Sequence, residues 1–116
     1  MKKKYRIKKS QDFKKVLDGR RLAGKNDAMS VYFAPNEVGW ARIGISVSTK
    51  VGNAVIRARV RRQVRAMIAL TDILQKPYDI VIIAHAGFLT KTFQENQALL
   101  NPLLARLQPK TTEEKK

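Results

Sequence analysis

The apolar positions change period along the chain, and each change marks a different element. Phe13, Val16 and Leu17 recur at i, i+3, i+4 spacing, which predicts a short helix over 10–19. Ser10 is placed to cap it, Asp12 lies near its positive end, and Gly19 can end it. Residues 20–27 read as a polar loop. Period two follows. In 28–34, Met29, Val31 and Phe33 alternate with Ser30 and Tyr32; in 40–48, Ala41, Ile43, Ile45 and Val47 alternate with Arg42, Gly44, Ser46 and Ser48. Each segment reads as a strand with one buried face. The intervening Pro35-Asn36-Glu37-Val38-Gly39 is turn chemistry, so the two strands are expected to form a hairpin.

Helical periodicity returns after Asn53, a good N-cap, and carries to about Leu70. At about 100° per residue, Ile56, Val60, Val64 and Met67 share one face, with Ile68 at its margin. Arg61, Arg62 and Arg65 point the other way, and Arg57 and Arg59 flank the stripe. Such a helix can stay folded on its apolar side while its guanidiniums meet an anion. Arginine suits phosphate because its planar fork donates two parallel hydrogen bonds.

A linker containing Lys76-Pro77 leads to the unbroken apolar run Ile80-Val81-Ile82-Ile83-Ala84, preceded by Tyr78-Asp79, which predicts a strand buried on both faces. Thr92-Phe93-Gln94-Glu95 matches a capping box and should start a last helix. Pro102 should kink or restart it, with Asn101 as a new cap, because an interior proline costs about 3 kcal/mol. Residues 108–116 are polar and aperiodic and are expected to fray. The residue pattern therefore gives an α-β-β-α-β-α order and a single-domain α+β sandwich over 10–107, between a basic arm at 1–9 and a polar tail.

Charge narrows the function. The 116 residues carry 24 Lys and Arg against 9 acids, a formal net charge of +15. That excess calls for a polyanion, either nucleic acid or an anionic membrane surface. No stretch approaches the ~20 apolar residues of a membrane span. No apolar signal-peptide core follows the basic start, and alternating strands favour a globular core over an amphipathic membrane binder. The chain has no cysteine, which excludes disulfides and cysteine metal sites and is compatible with a reducing compartment.

At its central motif the chain resembles the protein subunit of bacterial ribonuclease P. That family has a strand ending in Gly-(Ile/Leu)-Ser-Val-Ser, then a basic residue, Gly-Asn-Ala-Val and an arginine-rich helix. Here these are Gly44-Ile45-Ser46-Val47-Ser48, Lys50, Gly52-Asn53-Ala54-Val55, and Arg57, Arg59, Arg61, Arg62 and Arg65. The opening Arg6-Ile7-Lys8-Lys9-Ser10-Gln11-Asp12-Phe13 and the strand at 78–84 also match, so the resemblance covers about 5–107. Four positions depart from the pattern: Ala58 replaces a central asparagine, His85 a basic residue, Leu17 an aromatic, and Pro102 interrupts a helix that is usually continuous.

The resemblance implies an α-β-β-β-α-β-α order with a left-handed crossover through the arginine helix, against the general right-handed rule. It implies a cytoplasmic protein whose partners are ribonuclease P RNA and precursor tRNA, with neither membrane nor DNA. The RNA and its Mg²⁺ would hydrolyse the precursor to release the 5′ leader, with no cofactor or metal held by protein side chains. Lys50, Asn53, Arg57, Arg59, Arg61, Arg62 and Arg65 would contact RNA, with Arg6, Lys8 and Lys9 as a secondary basic patch. Phe13 and Tyr32 would form a leader cleft, where bases stack on aromatic rings with little sequence preference.

Plainer readings stand beside these. Phe13 can be simple packing under the sheet, Asn53 a cap, and Lys2, Lys3 and Lys4 a solubilising arm. Trp40 reads as a packing or edge residue. His85, the one histidine, reads as a structural group or a phosphate contact, since it has no evident catalytic partner. No acidic cluster suggests a two-metal site, and no Walker, Rossmann or zinc pattern occurs. The alternative to a ribonuclease P subunit is a ribosomal-type RNA-binding protein with no role in cleavage. A self-sufficient nuclease working through His85 is the third.

Overall fold

A computed structural model describes residues 3–7, 10–19 and 21–107. The caps expected from Ser10 and Asp12, the basic residues Lys2, Lys8 and Lys9, and the tail at 108–116 lie outside the described groups. The elements run α1 (Ser10–Gly19), β1 (Leu22–Lys25), β2 (Met29–Pro35), β3 (Arg42–Val47), α2 (Ala54–Ala69), β4 (Tyr78–Ala84) and α3 (Phe93–Ala105). Single 3-10 turns lie at Lys3–Tyr5, Ile73–Gln75 and Ala86–Thr90. This is the α-β-β-β-α-β-α order that the family resemblance implies.

One sheet holds the strands in the order β1-β2-β4-β3. β4 is central, antiparallel to β2 and parallel to β3, to which it is joined through α2. Its unbroken apolar run suits that slot, and every residue but Ile83 is buried. The expected hairpin between the second and third strands is absent, because β4 inserts between them. Alternation within a strand reports its faces and says nothing of its neighbour. The segment after β2 instead crosses the start of β4, with Asn36 N donating to Pro77 O at 2.9 Å and Ala41 N to Leu74 O at 3.0 Å.

The hairpin that does form joins β1 and β2. Asn26 Oδ1 accepts from Ala28 N and Met29 N at 2.9 and 3.0 Å, closing a tight turn. β1 lies inside the stretch expected to be a loop. It is four residues long and contains Ala23 and Gly24, too short and small to show a period. α3 packs against it so closely that a Cβ at Gly24 would sit 2.5 Å from Leu103 Cδ2 and Arg106 Nη1.

The two faces of the sheet are unequal. Met29, Val31 and Phe33 line up with Ala84, Ile82 and Ile80 and with Val47, Ile45 and Ile43, and this face carries the main core under α2 and α3. α1 packs on the opposite face, against β2 and β4, where Val16 and Val81 are 1% and 0% exposed. α3 runs through Pro102 as one helix, so the expected break is not found. The lost hydrogen bond belongs to the carbonyl of Ala98, on the exposed side where water can replace the amide. Asn101 lies inside the helix and accepts from Gln97 Nε2 at 2.8 Å. The Thr92–Glu95 capping box forms as expected.

One ion pair ties the sheet together below α1. Arg42 and Asp79 are register partners on β3 and β4, joined by two hydrogen bonds of 2.8 and 2.7 Å, and Asn36 Nδ2 donates to the same carboxylate at 2.8 Å. Arg42→Ala leaves a mostly buried carboxylate short of donors and should cost about 2–3 kcal/mol, the scale of a charged hydrogen bond lost indoors. Urea unfolding of the two proteins measures it.

Candidate nucleic-acid interface

The arginine helix forms as its periodicity requires. Asn53 Oδ1 accepts from Ile56 N at 3.0 Å, which sets the first turn. Val60, Val64, Met67 and Ile68 are buried, and Ile56 packs at the edge of the core. On the other side Arg59 and Arg62 are exposed, while Arg57, Arg61 and Arg65 are half-buried. Among the described residues none of these five guanidiniums pairs with a carboxylate; the ion pairs formed are Arg42–Asp79 and Lys91–Asp27. Arg57 Nε donates to Gly52 O at 3.1 Å and so braces the loop ahead of the helix. Lys50, on that loop, is exposed.

Arg65 stands in surroundings that oppose its charge. Burial first, then the charges of Arg6 and Arg61, push its guanidinium below its ordinary pKa. Arginine stays protonated at any relevant pH, so the unfavourable surroundings are best relieved by a bound anion. Arg61 and Arg65 are one turn apart on α2. Arg6 comes from the opening segment, which the sequence placed in a separate patch.

A second surface lies on the α1 face of the sheet. Tyr32, Val81 and Gly44 form one row across β2, β4 and β3. Phe13 lies over Gly44, where an added Cβ would come 2.5 Å from Phe13 Cε2. Phe13 and Tyr32, paired in the sequence reading, are thus brought to the same face and row, and both are half-buried. The adjoining row is Ser30, Ile83 and Ser46. At its end Ser30 Oγ and His85 Nε2 are 2.7 Å apart, which gives the histidine a hydrogen-bond partner. The sequence reading did not single out Gly44 as the ring's seat; an isolated glycine within a strand pattern was its one available signal.

No group of three or more His, Cys, Asp or Glu among the described residues could hold a metal ion. Among the same residues, no helix is long and apolar enough to cross a membrane. What remains is an α+β protein with one helix whose arginines meet no carboxylate among the described residues and with aromatic rings on the far face of its sheet, the makings of an RNA-backbone binder. A ribonuclease P family model matches residues 1–108. The ribonuclease P protein component of Mesoplasma florum is 39% identical over 108 residues, 91% of this chain and 97% of that protein. That of Bacillus velezensis is 36% identical over 107 residues, 91% of each. The Thermotoga maritima ribonuclease P protein superposes with TM-score 0.79 at 27% identity, covering 90% of this chain and 98% of that one. A Staphylococcus aureus ribonuclease P protein mutant, described as defective in mRNA degradation, gives TM-score 0.81 at 33% identity, covering 89% and 87%. The chain belongs to the ribonuclease P protein family, the protein subunits of the endoribonuclease that matures tRNA 5′ ends. That membership favours the cleavage-linked reading over the ribosomal-type one.

Arg61→Ala with Arg65→Ala should weaken RNA binding and make its salt dependence shallower, by about 0.7–0.9 for each phosphate no longer neutralised. Circular dichroism should stay native-like, because neither side chain belongs to the core.

Proposed function

We propose that the two surfaces divide the work of the holoenzyme. Arg57, Arg59, Arg61, Arg62 and Arg65 of α2, with Lys50 ahead of it, hold phosphates of ribonuclease P RNA. Asn53 sets the helix start that aims them, and Arg6, Lys8 and Lys9 supply a secondary basic patch. Phe13 and Tyr32 receive the single-stranded 5′ leader of precursor tRNA. Hydrolysis belongs to the RNA and its Mg²⁺; the protein raises precursor affinity and supports the active RNA conformation. The setting is the cytoplasm, where tRNA precursors are processed.

The observation that carries this reading is the helix itself. Its arginines face away from the core and meet no carboxylate among the described residues. Phosphate neutralisation and counterion release make such a surface bind RNA, with an affinity that falls as salt rises. The leader assignment draws on the shared row of Tyr32 and Gly44 and on the sequence tolerance of base stacking.

Reconstitution tests the whole. Added to a bacterial ribonuclease P RNA at low Mg²⁺ and physiological salt, the protein should raise the rate of precursor-tRNA cleavage at the 5′ end. No gain across a range of protein concentrations rejects the reading. Tyr32→Ala should weaken binding of precursor more than of mature tRNA, by about 1–3 kcal/mol if one stacked base is lost. Equal losses for both RNAs would remove Tyr32 from the leader site.

A further inference from the structure

The opening segment is fastened to the sheet by an aromatic post. Trp40 lies just ahead of β3, and its backbone is held there. Its carbonyl accepts from Asn36 Nδ2 at 3.0 Å, and the next amide, Ala41 N, donates to Leu74 O at 3.0 Å. From this base the indole Nε1 donates to the carbonyl of Lys4 at 3.0 Å. The Lys4 ammonium lies 4.7 Å from the Trp40 ring centroid and 5.1 Å from that of Tyr5, so cation–π attraction adds to the hydrogen bond.

Past the post, the backbone runs beside β3, the edge strand. Arg6 bridges Ile43 in parallel register, and Ile7 N donates to Ile43 O at 3.0 Å. That register sets Ile7 level with Gly44. Ile7 Cδ1 lies 3.3 Å from the position a Gly44 Cβ would take, and Phe13 Cε2 lies 2.5 Å from the same position. The two side chains therefore meet over Gly44. The row across the sheet reads Tyr32, Val81, Gly44 and, outermost, Ile7. The meeting matters because Phe13 rests on a glycine, which has no side chain to stop the ring from sliding toward the edge. α1 has ten residues, and helices under ~12–15 residues are marginal on their own, so its placement depends on what its side chains touch. Ile7 is the stop on the edge side.

We propose that Trp40 is a positioning residue for the 5′ leader: by holding the opening segment on the edge of β3 it keeps Ile7 level with Gly44, and Ile7 bounds the Phe13 ring on the side away from Tyr32. The proposal rests on the reading of Phe13 and Tyr32 as the leader site and deepens it. Trp40 touches no RNA in this account. It acts through the Lys4 carbonyl and Ile7 on the spacing of two rings that lie on the opposite side of β3 from the arginine helix.

The test is the ratio of precursor to mature tRNA affinity, measured with holoenzyme reconstituted from a bacterial ribonuclease P RNA and each protein variant. Phe13→Ala should lower the ratio by about 5- to 150-fold, the value of one stacked base. Trp40→Ala and Ile7→Ala should each lose part of that factor while mature tRNA binding stays as in the wild type. Trp40→Phe keeps a ring for Lys4 and should recover part of the loss. Adding Trp40→Ala to Phe13→Ala should lower the ratio no further, because the two act through one ring. An unchanged ratio in Trp40→Ala, additive losses in the double variant, or a Trp40→Ala protein that binds both tRNAs equally less well overturns the proposal. If Phe13→Ala lowers the ratio and Trp40→Ala and Ile7→Ala do not, the positioning role fails and the leader reading survives; if Phe13→Ala leaves the ratio unchanged, both fail. Trp40 is the chain's one tryptophan, so its fluorescence gives a check that needs no RNA. Lys4→Ala should increase acrylamide quenching, and unchanged quenching shows that the clamp is not made.

Discussion

The face on which this protein gathers its arginines depends on the packing of one side of α2. Val60, Val64, Met67 and Ile68 are sunk in the core, and burying each such side chain contributes about 1.5–3 kcal/mol. Two unit charges ~6 Å apart in water repel by only about 0.7 kcal/mol, less in salt. The apolar stripe therefore outweighs the crowding of guanidiniums on the opposite side, and a surface that would disfavour a free helix is tolerated on a docked one. Remove the stripe and the charges lose the scaffold that gives them direction.

β4 supplies the frame for that docking. Apolar on both sides, it must lie in the interior of the sheet, and there it separates β2 from β3 and divides the molecule into two working faces. On one side the helix lies over β3; on the other, α1 covers part of the sheet and leaves Tyr32, Ile83 and Ser46 half-buried. The Arg42–Asp79 pair lies under the second face and locks adjacent strands in register. Its location explains why a chain so rich in cations places one of its few acids indoors: the carboxylate is matched by a guanidinium and an amide.

Much of this was legible in the sequence, and what was legible is what local chemistry decides. The Asn53 cap, the arginine helix with its buried stripe, the Thr92–Glu95 box and the doubly buried strand each depend on residues within a few positions of one another. Strand alternation put Tyr32 opposite the Met29, Val31 and Phe33 face, while its pairing with Phe13 came from the family resemblance. The strand order did not follow, since an alternating segment is equally content beside any partner. β1 was hidden because it is short and is held by α3 from the far end of the chain. Pro102 misled because its cost depends on whether water reaches the carbonyl of Ala98. The effect of Arg6 on Arg65 was not legible locally, because the two are more than fifty residues apart in the chain.

Gly44 bears on how the Phe13–Tyr32 face was shaped. Its missing side chain is a dimple in the sheet, and the ring of Phe13 fills it. With no methyl group beneath it, the Phe13 ring can settle onto β3 while α1 packs on β2 and β4. Alanine in that dimple would act as a wedge under the ring, tipping the helix and changing the gap that it shares with Tyr32. A single hydrogen atom in the middle of a strand thus sets how far open the molecule's aromatic side stands.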